Sequence, residues 1–169
     1  LPCEGEGPRV LLVEGADDCH FFMGLCKRCE VRESFTIYEC GGWARVLARM
    51  NALILAPEDQ LIIAVVIDAN GDPAEERWKA VVAKLEPHGY ELPASLPAEG
   101  ARLEAQDLPS VGVWIMPNNH APGSLEDFCG GMASEDAIAQ ATAAVDDAEE
   151  NGYTTFRAVH RSKAILRTF

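Results

Sequence analysis

The stretch Leu61–Ile67, LIIAVVI, is an unbroken, largely β-branched apolar run that stops at Asp68. It does not alternate, so it leaves no face for water, and it is too short to cross a bilayer. It predicts a strand covered on both sides, and such strands belong to parallel sheets layered between helices. Three further segments share the character: Val10–Val13 (VLLV), Phe35–Glu39 (FTIYE) and Val111–Met116 (VGVWIM).

Helix signals separate these strands. Asp17 or Asp18 can cap a helix running to about Cys26. Gly41-Gly42 leads into a second, from about Trp43 to Leu55, which Pro57 ends. Asp72-Pro73-Ala74-Glu75 reads as an N-cap, a first-turn proline and a capping box for a third helix, to about Leu85. Ser124 is expected to cap a short helix, SLEDFCGGM, and Ser134 a longer one through about Glu150. Thr155–Phe169 is expected to be helical. Glu86–Pro109 carries Pro87, Pro93, Pro97 and Pro109 and little periodicity, so it reads as an insertion with a short hairpin near Ala101–Glu104. The order predicts one α/β domain across residues 1–169: a parallel sheet of about four strands with helices on both faces. Its core spans about 9–130, the proline-rich insertion about 86–110 and the C-terminal helices about 134–169. At 169 residues and 48% hydrophobic, the chain can fill one such core.

The formal charge of −13 excludes a protein that coats nucleic acid through general positive charge. The charge is uneven, however. Every charged residue from Glu135 to Glu150 is acidic, while Arg157, Arg161, Lys163 and Arg167 near the end are basic. A local basic stripe or a metal ion can still bring a phosphate backbone to an acidic protein. No apolar run is long enough to span a membrane, and no charged segment followed by an apolar one opens the chain. A cytoplasmic location is therefore expected, with the six cysteines as thiols. The CxxC of Cys26 and Cys29 lacks a second ligand pair for zinc and closes a helix instead of opening one. It is expected to be a helix end with one buried cysteine.

Ligands of such sheets bind beyond the carboxyl ends of the strands. Glu14, Asp17 and Asp18 follow the first strand, Asp68, Asn70 and Asp72 the third, and Asn118, Asn119 and His120, then Glu126 and Asp127, the fourth. Carboxylates converging there repel one another and take up protons unless a hard cation neutralises them. Mg²⁺ or Mn²⁺ with oxygen ligands suits that role. The candidate ligands are Glu14, Asp18, Asp68, Asn70, Asp72, Glu126 and Asp127. Several also have ordinary duties: Asp17, Asp18 and Asp72 as helix caps, and Asp127 in a capping box with Ser124. Glu14, Asp68 and Glu126 have no such duty and carry the strongest functional expectation. Gly41 and Gly42 can leave backbone N–H groups open to a phosphate, or simply form a tight turn. His120 is expected to be solvated, and Trp43, Trp78 and Trp114 to fill the core or its edges.

LVEGADD, the GG before a helix, VIDANGD and SLEDF resemble the TOPRIM domain of topoisomerases, primases and related nucleases, over about Val10–Phe128. The resemblance implies a Rossmann-like TOPRIM fold. That family places a glutamate after the first strand in a context like VEGxxD, matched by Glu14, and a DxD after a later strand. Asp68 matches its first aspartate, and Asn70 stands where the second would be. An amide offers an oxygen without charge, so either Asp72 compensates or the site takes one ion where relatives take two. Glu126 resembles the additional acidic position of the nuclease branch, typified by the overcoming-lysogenization-defect nucleases. Tyr38, Tyr90 and Tyr153 sit in no topoisomerase cleavage module, and the accessory zinc or helicase-contacting domains of primases are not expected within these residues.

The resemblance therefore implies a small stand-alone prokaryotic TOPRIM-like protein that hydrolyses phosphodiesters of nucleic acid with Mg²⁺ or Mn²⁺. Asp68, Asn70 and Glu126 would hold the cation. Glu14 would ligate or act as general acid/base, and Asp18 would assist. Lys163, Arg161 or His160 would stabilise charge on the phosphorus. One alternative is a non-catalytic module that binds a metal, a nucleotide or a protein. The other is a different phosphoryl-transfer enzyme. It fits less well, because an aspartyl-phosphate phosphatase wants its DxD after the first strand, where Glu14 stands.

Overall fold

A computed structural model describes residues 2–4, 7–31, 35–56 and 61–168. The strands are β1 (Pro2–Glu4), β2 (Arg9–Val13), β3 (Thr36–Glu39), β4 (Ile62–Asp68), β5 (Ala101–Leu103) and β6 (Ser110–Met116). The helices are α1 (Ala16–Arg28), α2 (Trp43–Ile54), α3 (Ala74–Leu85), α4 (Leu125–Gly130), α5 (Glu135–Glu150) and α6 (Arg161–Leu166). Short 3₁₀ turns occupy Glu86–His88 and Ala158–His160.

One six-stranded sheet runs in the order β1-β3-β2-β4-β6-β5. Its four inner strands are parallel, with Leu12 beside Val65 and Val65 beside Val113. These are the four strands expected from the sequence. The sheet as a whole is nevertheless mixed and not purely parallel, because β1 and β5 pair antiparallel at its two edges. For β5 the reason is local. The short link from Leu103 to Ser110 returns directly into β6, and a link that short makes a hairpin.

Among the inner strands, chain order reads second, first, third, fourth across the sheet. The progression reverses between β2 and β4, and a crevice opens beyond the ends of those two strands. Side chains alternate across the sheet. Leu12, Ile63 and Val65 pack with Met50 of α2 and with Trp78 and Leu85 of α3. Leu11, Val13 and Val66 point the other way, against Leu125 of α4 and the phenylalanines of α1. Helices thus cover both faces, and no helix among the described residues is long and apolar enough to cross a membrane.

Several local expectations change in the structure. Gly15 is the N-cap of α1, and Asp18 accepts its backbone N–H at 2.9 Å. Pro73 caps α3, leaving Asp72 outside the helix, where it meets Arg77 at 3.5 Å. Ser124 and Asp127 do form the expected box, with Asp127 accepting the Ser124 N–H at 2.8 Å, and Ser134 accepts from Ala137 at 3.3 Å. The C-terminal segment is a 3₁₀ turn followed by the short α6, not one helix. Pro57 and Phe169 lie outside the described residues. Cys26 is buried at the end of α1, and Cys29 is its exposed C-cap; both are free thiols. Cys19, almost fully buried, is disulfide-bonded, so the expectation that all six cysteines are thiols fails there.

The loop after β6 holds the proline-rich segment in place. Asn119 is only 3% exposed. It accepts from the Ile115 N–H at 2.7 Å and donates to the Ala98 carbonyl at 3.0 Å. Tyr90 donates to the Pro109 carbonyl at 2.6 Å. Asn119→Ala would strand a buried donor and an acceptor, at about 1–3 kcal/mol. Its urea midpoint is expected to fall with an unchanged slope. An unmoved midpoint would mean that the latch contributes nothing to stability.

Candidate functional site

Glu14 sits at the tip of β2 and ties three segments together. Its carbonyl accepts from the Gly41 and Gly42 N–H groups at 2.8 and 3.0 Å. Its carboxylate accepts from the Asp68 N–H at 2.8 Å and also from the backbone of Trp43. The two glycine N–H groups are therefore committed to Glu14, so the reading of Gly41-Gly42 as an open phosphate cradle does not hold. The glycines are needed for the turn itself, with φ of 81° and 113°. A Cβ on Gly41 would also meet the Arg45 guanidinium at 2.9 Å.

Asp68 ends β4, and its Oδ1 accepts from the Leu125 N–H, the first residue of α4, at 3.0 Å. This bond seats α4, and with it Glu126, against the strand tips. Asn70 adopts a left-handed φ of 58° and exchanges two backbone hydrogen bonds with Gly123, at 2.6 and 2.7 Å, which fixes the loop leading into α4. The resulting cleft, about 350 Å³, brings together Glu14, Asp18, Asp68, Asn70, Glu126 and Lys163. Gly42 also lines it, whereas Gly41, Asp72 and Asp127 do not. Asp72 is drawn towards Arg77, and Asp127 is occupied by its capping box and by the Ser162 hydroxyl at 2.8 Å. His120 lies on an exposed loop, where Asn118 accepts its backbone N–H at 3.2 Å.

The crowding has electrostatic consequences. Burial pushes Asp68 up to about 7, helped by the charges of Glu14, Asp18 and Glu126 and opposed by the Leu125 N–H. Burial likewise lifts Asp18 to about 6, with Glu14 and Glu126 adding to it and the Gly15 N–H opposing. Glu14 is raised by burial against the pull of its backbone donors and of Arg77.

Arg77 is a residue the sequence did not single out. It donates to the Asp68 carbonyl at 3.1 Å and lies 4.5 Å over the Trp43 ring, behind the acidic rim. Its only signal in the sequence is a place one turn into the helix that follows VIDANGD.

Cations approach the cleft from α6. Lys163 pairs with Asp17 and stands 3.8 Å from Glu126, and Arg167 reaches Asp17 at 3.6 Å. Asp17, weighed from the sequence as a helix cap, is instead their partner, and the Lys163 hydrogen bond holds its carboxyl below the usual range. Arg161 turns the other way, onto Asp146 and Glu149 of α5, and does not line the cleft; His160 does.

Among the described residues, no three His, Cys, Asp or Glu side chains are gathered as a ready cation site. The donor chemistry of the rim still fits a hard divalent ion. It offers oxygen alone, and Asp18 and Asp68 are held above their usual range by burial and partly by the charge of neighbouring carboxylates, a condition that a cation relieves. The Leu125 N–H engages one oxygen of Asp68, while the Glu14 carboxylate accepts from the backbone of both Asp68 and Trp43.

A family model described as "Protein of unknown function (DUF3226)" matches residues 8–169. No curated protein and no solved structure matches the chain.

The raised carboxyls set a pH dependence. Asp68 and Asp18 keep their protons in the fold up to about 7 and about 6, whereas the unfolded chain releases them near 4. Their contribution to stability is thus present in acid and is lost as pH rises through those values. In metal-free buffer, Asp68→Asn is expected to be more stable to urea than the wild type at about pH 8, by on the order of a few kcal/mol, and to match it at about pH 4. A difference that does not change with pH would contradict the raised Asp68.

Proposed function

We propose that this chain, which belongs to the DUF3226 family, is a divalent-metal-dependent phosphodiesterase of TOPRIM type acting on nucleic acid. One observation carries the reading: Glu14 and Asp68 meet where the strand order reverses, and Asp18 and Glu126 line the same cleft opposite Lys163. The order of the inner strands supports a Rossmann-like TOPRIM arrangement, to which β1 and β5 add antiparallel edges.

Asp68, Glu14 and Glu126 would hold Mg²⁺ or Mn²⁺, with the Asn70 amide and Asp18 assisting. Bound there, the ion supplies charge neutralisation at the phosphate and a more acidic water. The chain's own residues do the rest. Backbone donors fix Glu14 and Asp68, so little reorganisation is needed when phosphate arrives. Glu14, oriented by the backbone of Asp68 and Trp43, would use its remaining lone pairs to hold a ligand or a proton. Lys163 would exchange its contact with Asp17 and Glu126 for a non-bridging phosphate oxygen, placing a cation against the charge that builds up in the transition state.

A second reading, a metal- or nucleotide-binding module without turnover, has its own support. Asn70 replaces a charged ligand, and Lys163 already neutralises part of the rim. The two readings separate in one assay: single-stranded DNA, duplex DNA and RNA, each incubated with Mg²⁺ and with Mn²⁺. Metal-dependent cleavage is expected, abolished in Asp68→Ala. Lys163→Ala is expected to lower kcat by ~10²-fold while leaving metal affinity in place. A rise in melting temperature with Mn²⁺ but no cleavage of any strand would sink the phosphodiesterase and favour the binding module.

A further inference from the structure

A second hollow, about 220 Å³, opens beside the acidic cleft between α1, α4 and α6. The two share Asp17, Leu125, Glu126 and Lys163 as a common wall. A ligand whose phosphate rests at Lys163 therefore has its next group at the mouth of the hollow. The chemistry changes across that wall. Phe21, Cys129 and Leu166 line the hollow, with His20 and Arg167 at its exposed edge.

The Phe21 ring is held edge-to-face by Phe22 and Phe128, at 5.1 and 5.8 Å between centroids. It is thus braced from two sides as a wall. The carboxylates on the shared wall would not be left bare when Lys163 turns to a phosphate, because Arg167 reaches Asp17 at 3.6 Å and Glu126 would face the cation in the cleft. An aromatic and aliphatic interior beside a phosphate-seeking lysine suits a flat heterocycle attached to a phosphate.

We propose that this hollow receives the unpaired base of the nucleotide adjoining the phosphate in the cleft, so that the ligand is single-stranded nucleic acid. The inference rests on the phosphodiesterase reading for the position of that phosphate. A base inside a duplex is stacked and paired, and it enters a pocket beside the phosphate only after being extruded, at a cost of a few kcal/mol. An unpaired strand avoids that cost. DNA and RNA share the chemistry in question, the π-face of a base, so selectivity is for strandedness and not for sugar.

The test is fluorescence anisotropy with labelled single strands of DNA and RNA, in Ca²⁺ to hold back cleavage. The same DNA sequence as a duplex, and a strand of the same length with its bases removed, run beside them. The full-length chain is compared with Phe21→Ala and Cys129→Met. The second variant is an apolar exchange that adds bulk to the hollow, and it keeps the test open if Phe21→Ala fails to fold. The wild type is expected to bind both single strands about tenfold or more tightly than the duplex or the abasic strand. A folded variant is expected to lose that margin.

Equal binding of normal and abasic strands overturns the base pocket, as does a margin that survives in the variants or no binding of any strand. Base discrimination without cleavage in Mg²⁺ or Mn²⁺ would sink the hydrolytic reading and leave the pocket standing. Cleavage without base discrimination would do the reverse.

Discussion

The hydrogen bond from the Asp68 amide to the Glu14 carboxylate joins two strand tips at the point where the sheet reverses its order. The rest of the cleft is built from it. Through its carbonyl, Glu14 also holds the Gly41-Gly42 turn that starts α2, and through its side chain Asp68 holds the first residue of α4. Two carboxylates thus act as structural acceptors as well as candidate ligands. Their geometry is fixed by backbone donors and does not depend on other flexible side chains.

The arrangement concentrates negative charge that burial makes costly, and the chain answers in two ways. Asp68 and Asp18 are pushed to about 7 and about 6, so part of the charge is removed by protons. Part is balanced by cations from elsewhere in the chain: Arg77 behind the rim, and Lys163 and Arg167 from α6 in front. The basic C-terminal segment of a chain with net charge −13 is therefore not simply a solvated stripe. Lys163 faces the cleft, while Arg161 anchors α6 to the acidic α5.

Much of this was legible in the sequence, for physical reasons. The four inner strands are short apolar runs, and a run apolar on both faces has few other places to go. Glu14, Asp68 and Glu126 stood out because they follow strands or open a helix without a capping duty, and all three line the cleft. What stayed hidden depends on partners distant in the chain. Asp17 looked like a cap, and nothing local announces a lysine 146 positions away. The glycine N–H groups looked open until the Glu14 carbonyl was placed beneath them. Asp72 satisfied every local rule for an N-cap, yet Pro73 took that position and Asp72 turned towards Arg77. The β5 edge was anticipated only as a short hairpin near Ala101–Glu104, and β1 was missed because three residues are too short to leave a pattern.

The central claim is that the crowded carboxylates form a cation site. Calorimetric titration with Mn²⁺ near pH 6, repeated in buffers of different ionisation enthalpy, tests it most directly. Because Asp68 and Asp18 retain protons near that pH, the account expects saturable binding accompanied by proton release, with both lost in Glu14→Gln. Absence of Mn²⁺ binding, or binding that Glu14→Gln leaves unchanged, would contradict it.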